Sequence, residues 1–233
     1  MITHLRPALV LLALLSVLTG VIYPLAVTVL AQTLFPREAS GSLIVRDGKA
    51  VGSRLIGQSF TDPRYFWGRL SATSPAPFNA AASSGSNLGP LNPGLRDNTL
   101  ARITALRAAD PGNAASVPVD LVTSSGSGLD PHISIAAARY QAARVARVRM
   151  IDVTLVEAAI GRATTGRALG LFGEPVVNVL ELNLALAGAE FTSAKARGFG
   201  GLSTLRPPNS GMKLGVSPPS AQTPLTAEGG PKN

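Results

Sequence analysis

The stretch LVLLALLSVLTGVIYPLAVTVL, Leu9 to Leu30, decides the architecture. No charged side chain occurs between Arg6 and Arg37. That interval is about thirty residues, roughly 45 Å as a helix at 1.5 Å per residue. A bilayer core is about 30 Å thick and takes about 20 apolar residues to cross. The spacing therefore predicts a retained transmembrane helix, with the anchor occupying residues 1–36. A cleaved signal peptide is the alternative, and Val29-Leu30-Ala31 would serve as its cleavage site. The apolar run exceeds the usual length of such a segment, and Tyr23-Pro24 interrupts it. Pro24 lacks a backbone donor and is expected to bend the span. Ser16 and Gly20, four residues apart, fall on one face, where small side chains let another helix approach closely.

Outward from the anchor, composition separates a domain from a tail. The net charge is +8, and cysteine is absent, which excludes disulfide scaffolds and Cys-based zinc sites. Residues 37–191 carry fifteen basic and twelve acidic side chains, and the segment from Thr192 onward carries five and one. Half of the excess thus lies in a Gly/Pro/Ser-rich segment, residues 192–233, read as a disordered tail. A nucleic-acid partner would call for a basic face on a folded module, so none is expected. The charges flanking the span lean toward a cytoplasmic domain, but long domains translocate largely regardless of such counts.

Between anchor and tail the pattern predicts a mixed α/β soluble domain over residues 37–191. Ser42–Val45 and Ala50–Ile56 flank Asp47-Gly48, a hairpin signal. Thr73 to Pro93 reads as a long loop. Asn92-Pro93 predicts a capped helix running to Ala109, Ser134 one to Arg149, and Asp152 one to Arg162. Val117–Val122 reads as a strand, with Pro118 at an edge or a start. Pro175 opens a last apolar segment ending near Gly188, whose leucines fit either period; Pro at its start and Gly at its end favour a helix.

Few residues offer chemistry. There is no GxxxxGK[ST] loop, no HExxH and no GxSxG elbow, and the only histidines are His4 and His132. A multi-histidine metal site in the domain is excluded, and nothing supports a hydrolase triad on His132. The densest polar stretch runs from Thr123 to His132. Its Ser125, Gly126, Ser127 and Gly128 could turn backbone amides onto an anion such as a phosphate. The plainer reading is a connecting loop whose Asp130 and Ser134 satisfy local amides. Arg139, Arg144, Arg147 and Arg149 read as a solvated helix face, with phosphate or lipid headgroups as the alternative.

Several longer blocks occur in a fixed order: Leu5-Arg6-Pro7, Tyr23-Pro24, Leu55-Ile56-Gly57-Gln58-Ser59-Phe60, Tyr65-Phe66-Trp67-Gly68-Arg69 and Ser86-Asn87-Leu88-Gly89-Pro90. Val117 to Val122, Ser127 to Ser134, Gly173-Glu174-Pro175 and Val177 to Leu186 follow. Over residues 1–187 this series resembles the C subunit of the Kdp-type potassium-transporting ATPase of bacteria. Leu70, Ile135 and Ala142-Ala143 depart from it, each lacking a proline the family usually has there.

The resemblance implies a single-spanning, non-catalytic subunit of the bacterial inner membrane, with no cofactor of its own. Its partners would be a channel-like potassium-binding subunit, a P-type ATPase subunit and the lipid bilayer. ATP and potassium would be handled by the complex. The subunit would act as a catalytic chaperone that raises the ATP affinity of the ATPase subunit. Ser125, Gly126, Ser127 and Gly128 would be its nucleotide-sensing stretch, and the soluble domain would lie on the outer face; the spacing of Ser16 and Gly20, read from the residues alone, supplies the face expected to pack on another subunit. Two rival classes remain: a secreted or anchored binding protein for an anionic ligand, and a membrane-anchored serine hydrolase.

Overall fold

The computed structural model describes residues 4–196, and side chains over residues 4–188. Most of the segment read as a tail, residues 197–233, lies outside the described residues. The chain divides into two compact units between Leu55 and Ile56.

The first unit opens with a helical span over Leu5–Leu34, apolar enough to cross a membrane by length and composition. Two α-helices, α1 (Leu5–Val17) and α2 (Tyr23–Leu34), are joined by a π-helical turn, Leu18–Ile22. The turn has a local cause. A helical proline crowds the carbonyl four residues back, which for Pro24 is that of Gly20. Widening the helix relieves the clash, and the Tyr23 N–H accordingly donates to the Leu18 carbonyl five residues back. The perturbation expected at Pro24 thus takes the form of a π turn. Hydroxyls in this apolar segment are satisfied locally: Thr19 and Thr28 donate to the carbonyls of Leu15 and Pro24 at 2.7 and 2.8 Å.

A short helix α3 (Pro36–Ala39) leads into a hairpin of β1 (Leu43–Arg46) and β2 (Lys49–Ser53). Asp47 and Gly48 both have positive φ, +50° and +72°, which is the twist a two-residue hairpin turn requires. By contacts this hairpin belongs with the anchor unit, whereas hydropathy alone draws the boundary at the end of the apolar run.

The second unit is helical around a small sheet. Helix α4 (Pro93–Ala109) is capped by Asn92, α5 (Ile135–Arg149) by Ser134 and α6 (Val153–Ala163) by Asp152; each cap accepts a hydrogen bond from a first-turn amide. The sheet consists of β3 (His132–Ser134), β4 (Thr164–Thr165) and β5 (Val176–Asn178), all antiparallel with β5 in the middle. Helix α7 (Val179–Ala196) follows β5 directly. The ambiguous final segment therefore holds both patterns in succession, three strand residues and then a helix that continues past Gly188. The strand expected over Val117–Val122 does not form. Pro118 precedes a 3-10 turn, Val119–Leu121, which buries Leu121 without a ladder.

The core of this unit is built where α5, α6 and α7 meet the sheet. Val145, Val156, Val177, Leu182 and Leu186 are each fully buried. Small residues on α5, Ala137, Ala138 and Ala142, are buried as well and admit close neighbours.

Candidate functional site

The chain from Phe60 to Leu70 contains almost no regular structure, yet Phe60, Phe66 and Trp67 are buried. A buried segment without a ladder must find partners for its amides and carbonyls elsewhere. Two side-chain amides supply them. Asn183 on α7 accepts from the Phe66 N–H at 2.8 Å and donates to the Phe66 carbonyl at 3.1 Å. Gln141 on α5 accepts from the Trp67 N–H at 2.9 Å and donates to the Trp67 carbonyl at 3.1 Å. Each amide stands in for one residue of a neighbouring strand.

Two arginines complete the clamp. Arg144 is 2% exposed. It donates to the carbonyls of Pro63 and Tyr65 and to Gln141 Oε1. Arg102 donates to the carbonyls of Gly68 and Leu121 at 2.9 and 3.1 Å. Both guanidinium groups lie 5.0 Å from the centroid of the Trp67 ring. Burial pushes each of these arginines down to about 10. The reading of the arginine run as a solvated face is corrected here for Arg144, which belongs to the core. Arg139 does stay exposed, 3.5 Å from Glu157. Arg147 pairs at 2.7 Å with Asp110, which is buried.

The Ser/Gly stretch lies beside the loop that follows Leu70. The Ser125 N–H donates to the Leu70 carbonyl, the Gly128 N–H to the Ser125 carbonyl and the Leu129 N–H to Ser127 Oγ. The Ser127 carbonyl accepts from the Ser84 amide and the Ser83 hydroxyl, both at 3.0 Å. Gly128 has φ +68°, and a Cβ there would sit 2.5 Å from the Ser84 carbonyl oxygen. The loop is thus a seam between two backbone segments, and three of its amides already have intramolecular partners. Ser125 is buried, and Gly126 and Ser127 are exposed.

Asp130 closes the seam. It accepts from the His132 amide at 2.9 Å and from Arg69 at 3.1 Å, with the His132 ring 3.3 Å away. Burial alone would raise its carboxyl; the hydrogen bonds from His132 and Arg69 outweigh this and hold it below the ordinary 3.8. Among the described residues, no hydrogen bond joins a serine hydroxyl to His132. Ser16 and Gly20 are both exposed, and a Cβ built on Gly20 meets nothing within 4 Å.

Sequence reasoning missed the Asn183, Gln141 and Arg144 clamp. The one available signal was polar residues at apolar-phase positions of two helices: Gln141 and Arg144 among alanines, Asn183 among leucines.

These features define a class: a mixed α/β domain following an apolar N-terminal helix, in which Asn183, Gln141, Arg144 and Arg102 hold a long irregular segment in place. The family is then shown by comparison. Residues 5–188 match the profile of the K+-transporting ATPase, c chain (KdpC), and the chain belongs to that family. A potassium-transporting ATPase KdpC subunit of Polaromonas naphthalenivorans is 68% identical over 182 residues, 78% of this chain and 93% of its own length. The corresponding subunits of Methylococcus capsulatus and Sorangium cellulosum are 63% and 62% identical, covering 80% and 81% of this chain and 98% and 100% of their own. The N-terminal apolar helix fits a single-pass membrane subunit of such a transport complex.

Proposed function

We propose that this chain is the accessory, non-catalytic subunit of an ATP-driven potassium importer in the bacterial inner membrane. It supports assembly with a channel-like potassium-binding subunit and a P-type ATPase subunit, and it raises the ATP affinity of the latter. ATP and potassium are handled by those partners. The domain lies on the outer face, so its influence on ATP crosses the membrane as a coupling between distant sites. The observation that carries this reading is the extent of the family match, which includes both the apolar helix and the domain.

The state of the Ser/Gly loop supports action at a distance over direct nucleotide contact at Ser125, Gly126, Ser127 and Gly128. An anion nest needs free inward amides, and those of Ser125, Gly128 and Leu129 are engaged within the chain.

The test uses the absence of cysteine from the sequence. A Met150→Cys variant carries a single thiol at a position 86% exposed. A membrane-impermeant maleimide should label it in intact spheroplasts, and two further subunits should co-purify with it in mild detergent. Labelling only after lysis would put the domain inside. Purification of the chain alone under conditions that preserve the complex would contradict the subunit role.

A further inference from the structure

The π turn in the apolar span leaves a backbone acceptor that the helix itself cannot serve. A regular α-helix would give the Thr19 carbonyl the amide of Tyr23, but the Tyr23 N–H donates to the Leu18 carbonyl. The donor five residues on from Thr19 would be Pro24, which has no N–H. The Ile22 N–H belongs to the π turn and is directed five residues back, to Val17. Ile22 in turn is the N-cap of α2, so its carbonyl takes the first bond of the resumed helix, from Ala26. The Thr19 carbonyl is thus left without a backbone donor, and the carbonyls of Gly20 and Val21 share one, the Leu25 N–H.

Inside a bilayer each such group must be satisfied, and the remaining sources are hydroxyls of the same helix, water, or a neighbouring helix. A hydroxyl bonds back to the carbonyl three or four residues earlier, as Thr19 does to Leu15 and Thr28 to Pro24. To serve Thr19, Gly20 or Val21 it would have to stand at positions 22–25, which hold Ile, Tyr, Pro and Leu. The Tyr23 hydroxyl sits at the far end of its ring and cannot turn back on the turn below. Water is distant as well. Thr19 and Gly20 are the two middle residues of Leu5–Leu34, about 20 Å of helix from either end, and acyl chains carry no donor.

We propose that the carbonyls at Thr19 and Gly20 form a mid-membrane acceptor site, filled by a hydrogen-bond donor side chain on a transmembrane helix of another subunit of the pump. The inference rests on the subunit reading above and gives that contact its chemistry. Gly20 makes the approach possible, since a Cβ built there meets nothing within 4 Å and none is present to hold a neighbour off. A parallel second copy does not suit the site, because it presents the same acceptors at the same depth.

The test is made on the full chain in the assembled complex. Pro24→Ala restores the missing N–H and removes the cause of the π turn, so the acceptors become engaged within the helix. Membrane insertion should be unchanged, while retention of the partner subunits falls about threefold or more. A photoreactive benzoylphenylalanine in place of Tyr23, on the side of Gly20, should join the chain to a transmembrane segment of a partner subunit, several-fold more than one in place of Leu25, about 200° round the helix. Replacing the polar donor found beside that adduct with an apolar side chain of similar size should weaken retention of the unaltered chain, and should add nothing in Pro24→Ala. Undiminished retention of partners by Pro24→Ala would overturn the proposal. So would an adduct confined to lipid or to a second copy, or a partner segment without a donor side chain. Failure of the unaltered chain to hold any partner would overturn the functional reading instead, and this one with it.

Discussion

Asn183 and Phe66 exchange two hydrogen bonds, side-chain amide against backbone peptide, at 2.8 and 3.1 Å across 117 residues of sequence. Gln141 repeats the arrangement one residue later, at Trp67. Successive peptide units of one irregular segment are thereby held by two different helices. The buried Phe66-Trp67 pair needs no strand partner, and it fixes where the following loop, and through it the Ser/Gly seam, can lie.

Removing one clamp should therefore cost more than an average hydrogen bond. Asn183→Ala leaves a buried amide and a buried carbonyl of Phe66 unpaired, a loss of about 2–6 kcal/mol from two unsatisfied groups of about 1–3 kcal/mol each. Asn183→Asp should also destabilise, because a carboxylate cannot donate to the Phe66 carbonyl. Chemical denaturation of the purified chain measures both.

Helix α5 offers a change in the opposite direction. Ile135 occupies the first helical position after the Ser134 cap, where proline is favoured. Ser134 has φ −66° and ψ 158°, the extended conformation a residue before proline must take. Ile135→Pro should stabilise the domain by about 0.4–1 kcal/mol through the unfolded chain. A fall in thermal midpoint would show that the Ile135 amide or side chain is needed.

Acid should loosen the seam. The Asp130 carboxyl is held below 3.8 in the fold, so its stabilising contribution is complete above the unfolded value and is lost as pH falls through the lower folded one. Asp130→Asn should flatten the dependence of stability on pH below about 4, while lowering stability near neutral pH. Urea midpoints across pH 3 to 7 would reveal an unchanged acid slope if Asp130 were not responsible.

In the span, Gly20→Leu should weaken co-purification of the other subunits while leaving membrane insertion intact, because it fills the small face that Ser16 and Gly20 share. Equal recovery of partners would mean that helix contact lies on another face.

The parts of this structure that were legible in advance are those with local causes. Asp47-Gly48 specified the hairpin turn, and Asn92, Ser134 and Asp152 capped the helices read from them. The apolar run from Leu9 to Leu30 needed only its length. What stayed hidden has distant causes. The strands β3, β4 and β5 are three, two and three residues long, too short to show a period. The burial of Arg144 depends on carbonyls of Pro63 and Tyr65, 81 and 79 residues away, which its apolar-phase position on α5 does not by itself identify. In the Ser/Gly loop, composition reports freedom to turn, not which carbonyl each amide will meet.

The central claim is that the chain acts on ATP affinity from a distance, as an accessory subunit and without touching the nucleotide. The most direct measurement is the apparent ATP affinity of the purified pump in three forms: with the unaltered chain, with Ser125→Ala/Ser127→Ala, and without the chain. The account predicts equal affinity in the first two and a clearly weaker one in the third. A loss in the serine variant as large as that caused by omitting the chain, or no difference among the three, would contradict it.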